Sequence, residues 1–142
     1  MDQSARVRNA VRGELRRILL VEDEPDIQSI ARLALETLGG YRVEVCGSGP
    51  EALERVSSIR PDLILLDVMM PGMDGPAVVR ELRSRPETAG YPVVFMTAKV
   101  QPQELNRYLE MGALGVIAKP FDPMALSDEL RQLWEGGGGG QR

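Results

Sequence analysis

"LILLDVMMPGMDG", residues 63–75, passes through four apolar residues, reaches Asp67 and then enters a Pro-Gly turn. A short, continuously apolar run bounded by turn residues is typical of a strand buried on both faces of a sheet. Asp67, whose carboxylate ends this run, either forms the turn or takes part in the chemistry of a functional site. The neighbouring strands must decide between these two interpretations.

Four further strand patterns alternate with helical patterns along the chain. The strand patterns cover residues 17–21, 41–46, 92–97 and 115–118. The helical patterns cover residues 27–38, 49–59, 75–83, 105–112 and 122–134, the last with Asp122 as N-cap and Pro123 at its first position. Five strand–helix units in succession predict an α/β fold, a doubly wound five-stranded parallel sheet with helices on both faces. The expected strand order is 2-1-3-4-5, with the alternating run 41–46 at an edge.

The domain organisation follows from the same patterns. A chain of 142 residues is long enough for one domain with a sizeable core. We assign residues 16–135 to that domain, residues 1–15 to an arginine-rich N-terminal extension, and residues 136–142 to a glycine-rich flexible tail.

Composition excludes several classes of function. A net charge of −4 gives no reason to expect nucleic acid as a partner, and no apolar run approaches the roughly 18 residues of a membrane span. The single cysteine, Cys46, cannot form an internal disulfide, which favours a cytoplasmic protein. Because the chain has no histidine, it has no Ser-His-Asp or Cys-His nucleophile, no histidine metal ligand and no phosphohistidine of its own.

Polar groups stand where four of the predicted strands end. These are Glu22 and Asp23, Asp67, Thr97, and Lys119. The carboxyl ends of parallel strands share one edge, so three acids, a hydroxyl and an ammonium should meet there. A cluster of carboxylates suits Mg²⁺, and a carboxylate beside a metal and a lysine can attack phosphorus. Taken singly, Asp67 could be a turn residue and Lys119 a solvated surface residue, but those interpretations do not predict the joint occurrence.

The chain closely resembles the receiver domain of two-component response regulators, which has a flavodoxin-like (βα)5 fold. The matching segments are "ILLVEDEP" (18–25), "DLILLDVMMPGMDG" (62–75), "VVFMTA" (93–98) and "GALGVIAKPF" (112–121). The resemblance implies that Asp67 is the phosphoacceptor. It implies a Mg²⁺ site formed by Glu22, Asp23, Asp67 and the backbone carbonyl of Met69. Thr97 and Lys119 would contact the phosphoryl group, and the Lys119–Pro120 bond would be cis.

The resemblance also implies partners. A sensor histidine kinase or a histidine phosphotransfer protein would donate the phosphoryl group, and a downstream protein would bind the surface of helix 4, strand 5 and helix 5. A homodimer is left open. The chain would act as no enzyme beyond its own phosphorylation and slow autodephosphorylation. It departs from the family at Val116, where a Tyr or Phe usually switches.

Two alternatives stay open. One is a protein-binding module of receiver fold that signals without phosphorylation, which Val116 favours. The other is a Mg²⁺-dependent phosphohydrolase. An acid–base carboxylate two residues after the nucleophile would favour a phosphohydrolase. This chain has Met69 at that position, which makes the activity less expected.

Overall fold

The five predicted strands form one parallel sheet. The computed structural model describes residues 13–136, so the rest of the expected extension, residues 1–12, and the tail from residue 137 lie outside the described residues. The strands are β1 (Arg17–Val21), β2 (Arg42–Cys46), β3 (Leu63–Asp67), β4 (Val93–Thr97) and β5 (Gly115–Ala118). Their order is β2-β1-β3-β4-β5 with parallel pairing throughout, which confirms the predicted fold class and topology.

Helices connect the strands. They are α1 (Pro25–Leu33), continued by a π-helical segment (Ala34–Leu38), α2 (Gly49–Ile59), α3 (Gly75–Ser84), α4 (Pro102–Glu110) and α5 (Leu126–Gly136). Ser48 caps α2 by accepting the amide of Glu51, and Asp74 caps α3 by accepting the amide of Ala77. Gly40, at φ 73°, supplies the left-handed residue after the π-helical segment.

The start of α5 differs from the sequence prediction. The carboxylate of Asp122 accepts the amide of Met124 at 2.9 Å, and its carbonyl accepts the amide of Ala125 at 2.9 Å. Asp122 therefore closes a separate turn over residues 123–125, and the helix begins at Leu126. An Asx-type turn and a helix N-cap use the same side-chain chemistry, so the sequence did not distinguish them.

The sheet is covered on both faces by separate apolar clusters. Alternate residues of one strand point to opposite faces, so Leu19 and Val21 pack in the cluster under α2, α3 and α4, while Ile18 and Leu20 pack in the cluster under α1 and α5. All five residues of β3 are buried, which explains its unbroken apolar run. Leu15 is also buried in the second cluster, so core packing starts one residue before the predicted domain boundary.

Between residues 13 and 136, no helix is long and apolar enough to cross a membrane.

The two edges at which the strands begin and end have different roles. At the edge where the strands begin, the indole nitrogen Nε1 of Trp134 in α5 donates to the carbonyl of Gly13 at 3.0 Å. At the opposite edge β1, β3, β4 and β5 end side by side, and that edge carries the candidate site.

Candidate functional site

Asp67 is the last residue of β3 and lies almost fully buried, with 2% of its surface exposed. The amide of Met69 approaches its Oδ1 at 3.4 Å. The following loop folds back onto the strand, because the amide of Gly75 donates to the carbonyl of Val68 at 2.9 Å. A Cβ on Gly75 would lie 2.7 Å from the backbone oxygen of Asp67, so the loop can take this path only with glycine there.

Glu22 and Asp23 follow β1 and face the same pocket. Carboxylate oxygens of Glu22, Asp23 and Asp67 all lie within 4.8 Å of one another. Glu22 is fully buried, and its Oε2 accepts the amide of Glu24 at 3.0 Å. The predicted convergence of these three acids is therefore present, from two strands that pair directly.

Lys119, which follows β5, reaches across the pocket between two of the acids. Its Nζ lies 3.2 Å from Oε1 of Glu22 and 3.4 Å from Oδ1 of Asp67. Its side chain is 18% exposed, and the Lys119–Pro120 peptide bond is cis, as the family resemblance implied. A single ammonium thus faces a cluster of three carboxylates.

The pKa values of the site reflect burial first and the neighbouring hydrogen bonds and charges second. Burial raises the pKa of Asp67 and of Glu22 above their ordinary values, even though Lys119 acts in the opposite direction on both. Burial by itself would lower the pKa of Lys119, but the two carboxylates outweigh it and the pKa of Lys119 is raised. One ammonium therefore does not fully compensate the buried acids, and the pocket favours additional positive charge.

Thr97 and Met69 lie at the same edge of the sheet as the acids. Thr97 ends β4 fully buried, and its Oγ1 accepts the amide of Lys99 at 3.0 Å. Its carbonyl accepts the amide of Lys119 at 2.9 Å. The side chain of Met69 is 59% exposed. The phosphoryl contact of Thr97 and the metal contact of the Met69 carbonyl stay predictions.

The donor set of this pocket fits a hard divalent cation. Within residues 13–136, Glu22, Asp23 and Asp67 are the one group of three or more His, Cys, Asp or Glu residues with metal-ligand spacing. All three offer carboxylate oxygens, which are preferred by Mg²⁺ and Ca²⁺ and poorly matched to soft metals. Two of the three, Glu22 and Asp67, are buried, and the mutual repulsion of the carboxylates gives a physical reason for a cation to bind here.

One contact of the site was not predicted from the sequence. The side-chain amide nitrogen Nε2 of Gln28, in the first turn of α1, donates to the backbone carbonyl of Glu22 at 2.6 Å. Sequence spacing does not single out Gln28 among the polar residues of this helix. Its partner is a backbone atom, and backbone partners leave no residue-type signal in the pattern.

Comparison with known proteins agrees with this geometry. Residues 18–131 match the family described as response regulator receiver domain. Among relatives, DNA-binding response regulator MtrA of Mycolicibacterium smegmatis is 40% identical over 115 residues, which are 81% of this chain and 49% of MtrA. The transcriptional regulatory protein PhoP of Bacillus subtilis is 35% identical over 83% of this chain and 48% of PhoP. The chain spans about half the length of these relatives.

Solved structures of similar size have the same architecture, and the match covers nearly the whole of each of them. Chemotaxis response regulator CheY4 of Vibrio cholerae superposes with a TM-score of 0.77 at 30% identity, covering 84% of this chain and 99% of CheY4. The receiver domain of a signal transduction histidine kinase from Syntrophus aciditrophicus has a TM-score of 0.72 at 38% identity, covering 85% of this chain and 91% of that domain. With a family match over residues 18–131 and these neighbours, the chain belongs to the response regulator receiver domain family of two-component systems.

Proposed function

We propose that Asp67 accepts a phosphoryl group from a phosphohistidine of a partner protein and that the modified domain changes its protein contacts. The observation that carries this proposal is the pocket itself, in which Glu22, Asp23 and Asp67 place their carboxylates within 4.8 Å of one another and Lys119 bridges two of them. An ion pair with a purely structural role needs one acid for one lysine, whereas this pocket has three acids and one lysine.

The transfer would need little chemistry from the chain beyond positioning and charge. An oxygen of the Asp67 carboxylate attacks phosphorus, the P–N bond to the donor imidazole breaks, and an acyl phosphate forms on Asp67. Lys119, already 3.4 Å from Asp67, would pair with a phosphoryl oxygen. Mg²⁺ held by the three carboxylates and the Met69 carbonyl would neutralise charge on the phosphoryl oxygens.

The phosphoryl donor must be another protein, because this chain has no histidine. A sensor histidine kinase or a histidine phosphotransfer protein would dock over the pocket. Exposed apolar side chains stand near it, with Met69 59% and Val100 40% exposed on the loops after β3 and β4. We expect slow hydrolysis of the acyl phosphate and no turnover of free substrates. A cytoplasmic location belongs to the same proposal.

Output would pass through Thr97. A phosphoryl group adds about −1.5 to −2 charge beside this hydroxyl. We propose that Thr97 turns its side chain to donate its hydroxyl to a phosphoryl oxygen, and that this turn breaks the bond by which its Oγ1 accepts the amide of Lys99 at 3.0 Å. That release would loosen the segment leading into α4 and alter the surface of α4, β5 and α5. This surface contains a groove of about 550 Å³ lined by Leu105, Leu109 and Leu133. We propose it as the contact for a downstream protein or a second copy of the domain.

The direct test is incubation with a small-molecule phosphodonor and Mg²⁺, followed by intact mass spectrometry. The wild-type chain should gain one phosphoryl group, and Asp67→Asn should gain none. Asp74→Asn is the matched control, because asparagine also caps helices and Asp74 caps α3 outside the pocket. Mass gain in Asp67→Asn, or none in the wild type where a known receiver reacts, would contradict the proposal.

A second candidate is a binding module of receiver fold that needs no phosphorylation. Val116 favours it, because its small, half-buried side chain lines the α4–β5–α5 groove and has no ring to move. The two candidates differ in one measurement. If the domain is a phosphoacceptor, the affinity of the wild type for a binding partner should change on phosphorylation. If it is a phosphorylation-independent binding module, the affinity should be the same in phosphodonor-treated wild type and in Asp67→Asn.

A further inference from the structure

We propose that Gln28 is a positioning residue for the metal site: its side-chain amide fixes the peptide plane from which Asp23 projects. This inference rests on the proposed function. Gln28 Nε2 donates to the carbonyl of Glu22 at 2.6 Å. That carbonyl and the amide of Asp23 belong to one planar peptide unit. Rotation of this unit would redirect the carboxylate of Asp23 away from Asp67.

A small set of hydrogen bonds restrains the loop around Asp23, among them the amide of Glu24 donating to Oε2 of Glu22 at 3.0 Å. Glu24, the N-cap of α1, makes no side-chain capping bond, and Pro25 follows it at the first helical position. The amide of Glu22 donates to the carbonyl of Cys46 at 3.1 Å, which anchors the loop on one side. Gln28 contributes on the other side, where its own amide bonds the carbonyl of Glu24 at 2.9 Å while its side chain holds Glu22. Gln28 therefore donates hydrogen bonds to the residue before Asp23 and to the residue after it.

The expected consequence concerns cation affinity. Loss of hydrogen-bonding groups that orient metal ligands commonly weakens metal affinity about 10–100-fold. Gln28→Met keeps the length of the side chain and removes both donors without adding charge, so we expect about tenfold weaker Mg²⁺ binding. The phosphorylation rate at saturating Mg²⁺ should recover, while the Mg²⁺ concentration at half-maximal rate should rise by the same factor. A residue with a structural role alone would not produce this split.

Isothermal titration of the full chain with MgCl2 is the test. The variants are Gln28→Met and Gln28→Asn, whose amide is one methylene too short, and circular dichroism verifies the fold of each. Ser29→Ala is the matched control, because Ser29 is the exposed neighbour on the same helix and should bind as the wild type does. Support is a dissociation constant about tenfold higher in both Gln28 variants.

Two other results would overturn the inference and can be told apart. Gln28 variants that fold and bind Mg²⁺ within about twofold of the wild-type affinity would refute the positioning role alone, because that change is much smaller than the expected loss of about tenfold. A wild-type chain that binds no Mg²⁺, or an Asp23→Asn variant that binds it unchanged, would refute the proposed metal site and this inference with it.

Discussion

Replacing Lys119 with methionine tests whether charge compensation holds the pocket together. The substitution keeps the apolar stem of the side chain and removes the ammonium that lies 3.2 Å from Glu22 and 3.4 Å from Asp67. Removing one partner of a buried ion pair costs about 3–5 kcal/mol of unfolding free energy. Lys119 is 18% exposed and so partly screened, which places the expected loss at about 3 kcal/mol at about pH 7.5 without Mg²⁺.

The sign of the pH dependence follows from the raised pKa values of Asp67 and Glu22. An acid whose pKa is raised in the folded state contributes stability that is complete below its unfolded pKa, near 4. That contribution is lost as pH rises through the folded pKa. Without Lys119 the folded pKa values should rise further. The deficit of Lys119→Met should therefore shrink as pH is lowered from about 7.5 towards 5, because protonation of these acids removes the charge that Lys119 compensates.

Urea unfolding followed by circular dichroism, in EDTA and in about 10 mM Mg²⁺, measures the effect. Mg²⁺ should restore most of the lost stability, because it supplies the missing positive charge. Lys99→Met is the matched control: Lys99 is the other lysine of the chain, its side chain is exposed, and we expect little change. A deficit in Lys119→Met that is the same at both pH values and in Mg²⁺ would refute the electrostatic reasoning and point to packing.

Three further changes have calculable effects on the urea midpoint. Glu104→Met should stabilise the chain by about 1 kcal/mol, since Oε1 of Glu104 is buried without a hydrogen bond in the part of the chain described here; destabilisation would contradict this. Gly75→Ala should cost about 2 kcal/mol, because the new Cβ meets backbone atoms within 3.0 Å, whereas Gly90→Ala has open space and should be nearly neutral. Trp134→Phe should cost about 1 kcal/mol through loss of the bond to Gly13, and an unchanged midpoint would assign that bond no net value.

Topology explains why most of the site could be predicted from the sequence. Once the run 63–66 is read as a strand, parallel pairing places Asp67 between the ends of β1 and β4, with the end of β5 one strand farther along the same edge. The positions of Glu22, Asp23 and Lys119 at one edge therefore follow from element order alone. Their roles in phosphoryl transfer stay predictions.

Contacts that depend on tertiary packing could not be predicted in this way. Leu15 is an isolated apolar residue in an arginine-rich stretch, and its burial depends on the α1 and α5 face of the sheet. Met69 is exposed and Met70 is buried, although the two share side-chain chemistry and adjacent positions. The periodic residues 27–38 fit a continuous α-helix, yet Ala34–Leu38 form a π-helical segment. The burial of Leu15 and of Met70 is set by neighbours distant in sequence, which a local pattern does not contain.

The location of the single tryptophan determines which spectroscopic signal can report on this domain. Trp134 is held against Gly13 at the edge where the strands begin, whereas Asp67 is the last residue of β3, about 13 Å from the first residue of that five-residue strand. Its fluorescence should follow detachment of the segment before β1 from α5, and hence unfolding. Entry of Mg²⁺ beside Asp67 should leave the emission nearly unchanged, so a silent fluorescence titration would not argue against metal binding.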